Sequence, residues 1–230
     1  MNKIAIISLA RSGSTTLSTT FETGFKVFHE PIRTSEYNNP KHADIKHILD
    51  EYGCDPTRTN TIDLIGLSRA EISPLFEKCF QYADCVKHRS TGTYWRATKA
   101  LIDTVIKLNG KIIFLYREDL FSAILSLLIA EQTNIWQLAI DGVENIEQVK
   151  SKFYNTTCEI DTAYFRYMIK ESKNNIIAMH KYCKNYVNEE NLQIWSYETL
   201  YDQYRMLNFS RICDFIGVSK SIFDEQFVNE

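Results

Sequence analysis

Five short apolar runs punctuate the chain and predict strands near residues 3–9, 25–29, 84–88, 111–116 and 191–196. Lys111-Ile112-Ile113-Phe114-Leu115-Tyr116 reads as a buried strand. Between the runs, apolar residues recur at helical spacing near 14–22, 68–82, 93–108, 119–133, 161–188 and 205–215, the last stopped by Gly217. The long stretch 161–188 carries Tyr164, Phe165, Tyr167, Met168, Ile177, Met179 and Tyr182, and is read most simply as a core helix. Strands alternating with helices predict an α/β fold in which a central parallel sheet is flanked by helices in three layers. Two stretches break the pattern. Residues 34–62 are turn-rich, with Asn38-Asn39-Pro40 and Asp55-Pro56, and 137–160 are polar between two helices. Neither has a core of its own, so both are expected to be insertions in a single domain spanning 1–230.

The first strand empties into Ala10-Arg11-Ser12-Gly13-Ser14-Thr15-Thr16-Leu17, a small, hydroxyl-rich loop that opens a helix. An ordinary strand–turn–helix start capped by Ser accounts for part of this pattern. The rest suits an anion. Unpartnered N–H groups and the partial positive charge of a helix start favour negative charge. Gly13 permits close backbone approach, Ser12, Ser14, Thr15 and Thr16 supply hydroxyls, and Arg11 supplies a planar cationic fork. The nucleotide-triphosphatase pattern G-x-x-x-x-G-K-[ST] is not matched, since there is one Gly and no Lys before the hydroxyl pair. An anion handled without a metal is expected.

The predicted strand 111–116 runs into Arg117-Glu118-Asp119 and a helix carrying Ser126. Near the other end, Trp195-Ser196-Tyr197-Glu198-Thr199-Leu200 precedes Phe209 to Val218, which contains Phe215-Ile216-Gly217-Val218. With the first loop, these segments resemble the sulfotransferases that use 3′-phosphoadenosine 5′-phosphosulfate (PAPS). Arg117 to Trp136, REDLFSAILSLLIAEQTNIW, is especially similar to the bacterial trehalose-type enzymes, and Arg11 in place of a first-loop Lys favours the carbohydrate branch. The resemblance implies a P-loop-like fold and PAPS as co-substrate, with the first loop on the 5′-phosphosulfate and Arg117 and Ser126 on the 3′-phosphate. Lys87, in Lys87-His88-Arg89, is a further candidate contact, or else a solvated strand end. Tyr197 and Trp136 read as core or cleft-wall aromatics, with adenine or sugar stacking as their functional role.

Sulfuryl transfer to a hydroxyl needs a base. Glu30, in Phe28-His29-Glu30-Pro31, resembles the F-E-P element of carbohydrate sulfotransferases and is the preferred candidate. His29 is its rival, with an intrinsic pKa near 6.5. Alternate strand residues face opposite sides, so the two are not both expected in the cleft. The first loop, residues 29–31 and 87–90, and Arg117 all fall at strand ends, where open α/β sheets bind ligands.

Composition narrows the partners. A net charge of −3 argues against broad nucleic-acid binding, so an anion site must be a local concentration of Arg and Lys. The six Cys residues form no C-x-x-C pair, which disfavours a zinc site and fits reduced thiols in a cytoplasm-like compartment. The apolar run 4–9 is too short for a leader, and no run reaches the roughly 20 apolar residues of a membrane span. A small-molecule or carbohydrate acceptor is expected. The competing readings are a P-loop-like nucleotide-binding protein such as a small kinase, and a PAPS-binding module without turnover.

Overall fold

The computed structural model describes residues 2–31, 47, 67–90, 95–133, 157 and 159–221. Nearly all of the expected insertions 34–62 and 137–160, and Trp136, lie outside the described residues.

The five apolar runs form β1 (Ile4–Ser8), β2 (Val27–His29), β3 (Cys85–Arg89), β4 (Lys111–Tyr116) and β5 (Leu192–Ser196). They pair in the order β2-β3-β1-β4-β5, every pair parallel. The helices are α1 (Ser14–Phe21), α2 (Arg69–Tyr82), α3 (Trp95–Lys107), α4 (Leu120–Thr133), α5 (Thr162–Tyr186), α6 (Tyr197–Leu200) and α7 (Arg205–Ile216). The observed architecture is the expected three-layer α/β fold.

Side-chain alternation divides the core between the two faces of the sheet. Ala5, Ile7, Phe28, Val86, Ile112 and Phe114 pack with Leu75 and Phe76 of α2, Leu101 and Val105 of α3, and Met179 and Cys183 of α5. Ile4, Ile6, Val27, Cys85, Ile113 and Leu115 pack with Leu17 and Phe21 of α1, Leu200 of α6, and Phe209 and Ile212 of α7. Because β1 is central and covered on both sides, every one of its residues is buried.

Helix boundaries follow their local signals. Ser68 caps α2 in a reciprocal box with Glu71. Asp161 accepts the N–H groups of Ala163 and Tyr164 at the start of α5, and left-handed Gly217 ends α7. No described helix is long and apolar enough to cross a membrane.

Sheet order also places the ligand crevice. From β1 the chain crosses to β2 on one side, whereas from β4 it crosses to β5 on the other, although β1 and β4 are paired neighbours. Connections that part in this way leave a crevice beyond the carboxyl ends of the two strands. The β1–α1 loop and Arg117 both start there.

Candidate anion-binding active site

The chain passes from β1 to α1 in five residues, and two of them are left-handed: Arg11 at φ 60° and Gly13 at φ 74°. Such a conformation costs a residue with a side chain about 1–2 kcal/mol, so surrounding contacts must hold Arg11 in place. Its carbonyl accepts a bond from Arg117 Nη1 at 3.2 Å, and its own Nε donates to Ser126 Oγ on α4 at 3.0 Å. At Gly13 a Cβ would stand 2.7 Å from both Tyr197 Cδ2 and Tyr201 Cε2. Two aromatic rings therefore occupy the space that any side chain would need. Tyr201 also donates its hydroxyl to the Gly13 carbonyl at 2.7 Å, and Ser12 closes the turn by donating to the Leu9 carbonyl at 2.7 Å.

Gly13 has no side chain with which to cap α1, so the first-turn N–H groups of Ser14, Thr15 and Thr16 are left without an intrahelical partner. Thr16 is exposed, Ser14 is buried, and Thr15 Oγ1 accepts from Lys87 Nζ at 3.0 Å.

Arg117 follows the last residue of β4. Its guanidinium carbon lies 4.1 Å above the Tyr197 ring, a cation–π contact. Its Nε is buried without a hydrogen bond among the described residues, 3.5 Å from Glu198 Oε1. Burial, and then the neighbouring Arg117 charge, lower the Arg11 pKa. The Arg11 guanidinium, its charge disfavoured by burial and by Arg117 and its Nε set on the Ser126 hydroxyl, suits an anion. The structure brings Arg11, Arg117 and Ser126 together, with Ser126 bonded to Arg11.

Glu198 is a residue that the sequence reading left out of the site. Its Oε2 accepts the Glu118 N–H at 2.9 Å and its Oε1 the Asp119 N–H at 3.3 Å, just before α4. Burial pushes its carboxyl up, but these N–H groups and the Arg117 charge outweigh that and leave it below the usual range. Tyr201 was missed as well. Both contacts span large sequence separations, and no local pattern announces them.

At the end of β3, Lys87 is only 5% exposed and bridges two partners, Thr15 Oγ1 and Glu30 Oε1, the latter at 2.9 Å. Glu30 is the first residue after β2 and left-handed at φ 48°. Its N–H continues the β2–β3 ladder to the Lys87 carbonyl at 2.7 Å. His29 turns to α1, with Nε2 at 2.6 Å from Glu22 Oε1 and Nδ1 at 3.2 Å from Ser18 Oγ. His88 is buried against Thr98, its Nε2 3.0 Å from Oγ1, and Thr98 donates to Ser90 Oγ at 3.0 Å. Burial lowers the His88 pKa to about 4, with Arg89 adding to the effect and Glu30 opposing it.

The ends of β1, β2, β3 and β4 thus carry an uncapped helix start, two arginines, and a carboxylate paired to a buried lysine. Such a set can hold an anion with more than one charged group and offer a carboxylate as proton acceptor. No group of three or more His, Cys, Asp or Glu residues suited to a metal ion occurs among the described residues. A shallow depression between β5 and α7, lined by Gln193, Trp195, Arg211, Asp214 and Phe215, contains none of these groups.

No protein-family model matches the chain, and no curated protein matches it. Among solved structures, it is similar to a sulfotransferase domain from the curacin biosynthetic pathway, at 17% identity and a TM-score of 0.45, over 95% of this chain and 75% of that one. It is also similar to a sulfotransferase domain from the Synechococcus PCC 7002 olefin synthase, at 16% identity and a TM-score of 0.42, over 96% of this chain and 76% of that one.

Proposed function

We propose that this chain is a PAPS-dependent sulfotransferase acting on a hydroxyl of a carbohydrate or glycolipid-like acceptor. The observation that carries the reading is the convergence of Arg11, Arg117 and Ser126 beside the uncapped first turn of α1. Two adjacent guanidiniums at the strand ends suit a ligand that presents more than one phosphate-type group. PAPS has a 5′-phosphosulfate and a 3′-phosphate, and when bound it supplies the activated sulfuryl group. Arg11, Ser12, Gly13, Ser14, Thr15 and Thr16, with Lys87, would hold the 5′ end. Arg117 and Ser126 would hold the 3′-phosphate, and Tyr197 the adenine side.

Glu30 is assigned as the base. Its carboxylate stands at the end of β2 with Oε1 2.9 Å from Lys87 Nζ, which in turn donates to Thr15 of the anion loop. The engagement of His29 with Glu22 and Ser18 supports choosing Glu30 over it. Positive charge for the reaction comes from Arg11, Arg117 and Lys87, so no metal is assigned. We place the reaction in the cytoplasm and in one domain.

Thermal-shift measurements with PAP, PAPS, ATP and GTP, each with and without Mg²⁺, test the reading, because a ligand that binds the folded state raises its apparent stability. PAP and PAPS are expected to raise it without Mg²⁺. A larger response to ATP or GTP with Mg²⁺ would overturn the proposal in favour of a nucleotide-binding protein. Sulfuryl transfer from labelled PAPS to a panel of glycans and glycolipids then tests the acceptor class.

A further inference from the structure

We infer that Glu198 and Tyr201 are positioning residues that fix the two halves of the anion site relative to one another through α6. The halves are the β1–α1 loop and the β4–α4 junction. They emerge from paired strands, but beyond the strand ends no ladder bond sets their spacing. α6 and the residue after it reach both. On one side, Tyr201 donates to the Gly13 carbonyl at 2.7 Å, and the Tyr197 and Tyr201 rings, 4.8 Å apart, fill the space at Gly13. On the other, Glu198 accepts the Glu118 and Asp119 N–H groups and lies 3.5 Å from Arg117 Nε, while Tyr197 lies under the Arg117 guanidinium.

α6 is itself fixed. Ser196 Oγ accepts the Thr199 N–H at 3.1 Å, Leu200 is fully buried in the core, and Asn208 of α7 donates to the Thr199 carbonyl at 2.7 Å. The five residues Tyr197 to Tyr201, tied to the core, thus serve as a common reference for the loop that carries Arg11 and the strand end that carries Arg117. A site that must match two anionic groups at once needs their separation fixed to a fraction of an ångström.

The ligand named here rests on the proposed function, whereas the tie itself does not, and the test separates the two. Amide hydrogen exchange is measured on the full unliganded chain for wild type, Tyr201→Phe and Glu198→Ala, alongside PAP affinity. Tyr201→Phe keeps the ring and removes the hydroxyl, with its bond to the Gly13 carbonyl and its contact with the Leu17 N–H in the first turns of α1. It is expected to speed exchange in residues 10–16 and also in residues 117–120, and Glu198→Ala is expected to do the same in reverse. Each variant should weaken PAP about two- to tenfold, the equivalent of about one net hydrogen bond. The inference is overturned if each variant loosens only the side it touches. It is overturned equally by a uniform rise in exchange through β1 and β4, the mark of plain destabilisation, or by wild-type PAP affinity in both variants. Failure of the wild type to bind PAP would refute the functional reading, and the exchange data would still decide the tie.

Discussion

Arg117 lies against the backbone of Arg11: its Nη1 donates to the Arg11 carbonyl at 3.2 Å, while the Arg11 side chain turns to Ser126 Oγ at 3.0 Å. Each arginine is therefore already oriented by the segment that carries the other, and an arriving anion need not arrange them. If Arg117 and Ser126 hold a 3′-phosphate, PAP should stabilise the protein much more than 5′-AMP does, with no added Mg²⁺. Arg117→Ala should remove most of that difference, about 1.5–3 kcal/mol for a charge-assisted contact. Equal shifts with the two nucleotides in thermal denaturation would count against the assignment.

If Arg11 faces the 5′-phosphosulfate as proposed, it meets charge that grows as the sulfuryl group leaves, and PAP has no sulfuryl group. Arg11→Ala should consequently slow turnover by a larger factor than it weakens PAP binding. Single-turnover rates and PAP titrations on the same preparation make the comparison, and unchanged turnover would assign this arginine to the fold.

Glu30→Gln keeps the shape of the side chain and its bond to Lys87 but removes the proton acceptor. Turnover should fall roughly 10²–10⁴-fold with PAP affinity nearly intact. His29→Asn disturbs a largely buried pair with Glu22 and should cost about 1–3 kcal/mol of stability, with turnover little changed. A reversed order of the two turnover losses would move the base to His29.

His88 gives a pH signature independent of any ligand. Its folded pKa, about 4, lies below the ordinary 6.5, so between these values the unfolded chain binds the extra proton. The contribution is complete above pH 6.5 and is lost as pH falls through 4, a change of about 3 kcal/mol. Urea titrations at pH 7 and pH 4 should show a smaller acid loss in His88→Gln than in wild type.

Gly13→Ala places a methyl group 2.7 Å from two aromatic rings at a backbone φ of 74°. The strain alone should cost about 1–3 kcal/mol, seen as a lower urea midpoint, and PAP affinity should fall with it. A variant as stable as wild type would mean that the rings move aside freely.

The sheet was legible because parallel strands covered on both faces must be apolar throughout, and Ile4–Ser8 and Lys111–Tyr116 fall where such runs predict them. Helix starts were legible for an equally local reason, as with Ser68 and Asp161. Arg11, Arg117 and Ser126 could be named as candidates, but their meeting depends on the pairing of β1 with β4. The orientation of Glu30 was not legible. Strand alternation was the only guide to it, and Glu30 lies past the strand with left-handed backbone, so the turn and Lys87 direct its side chain. α6, a single turn, has too few residues to show a period, and the contacts of Tyr201 and Glu198 join segments 80 or more residues apart.

The bond from Tyr201 to Gly13 spans 188 residues of chain. A ribosome adding about 5–20 residues per second makes the anion loop some 10–40 s before the tyrosine that pins it. During that interval β1, β3 and β4 can already be paired while the loop beyond β1 lacks its clamp. The loop is thus fixed late in the birth of the molecule, when β5 adds to the sheet's edge and brings α6 over the crevice. A nascent chain stalled short of β5 would have most of its sheet and a loop after β1 without its clamp.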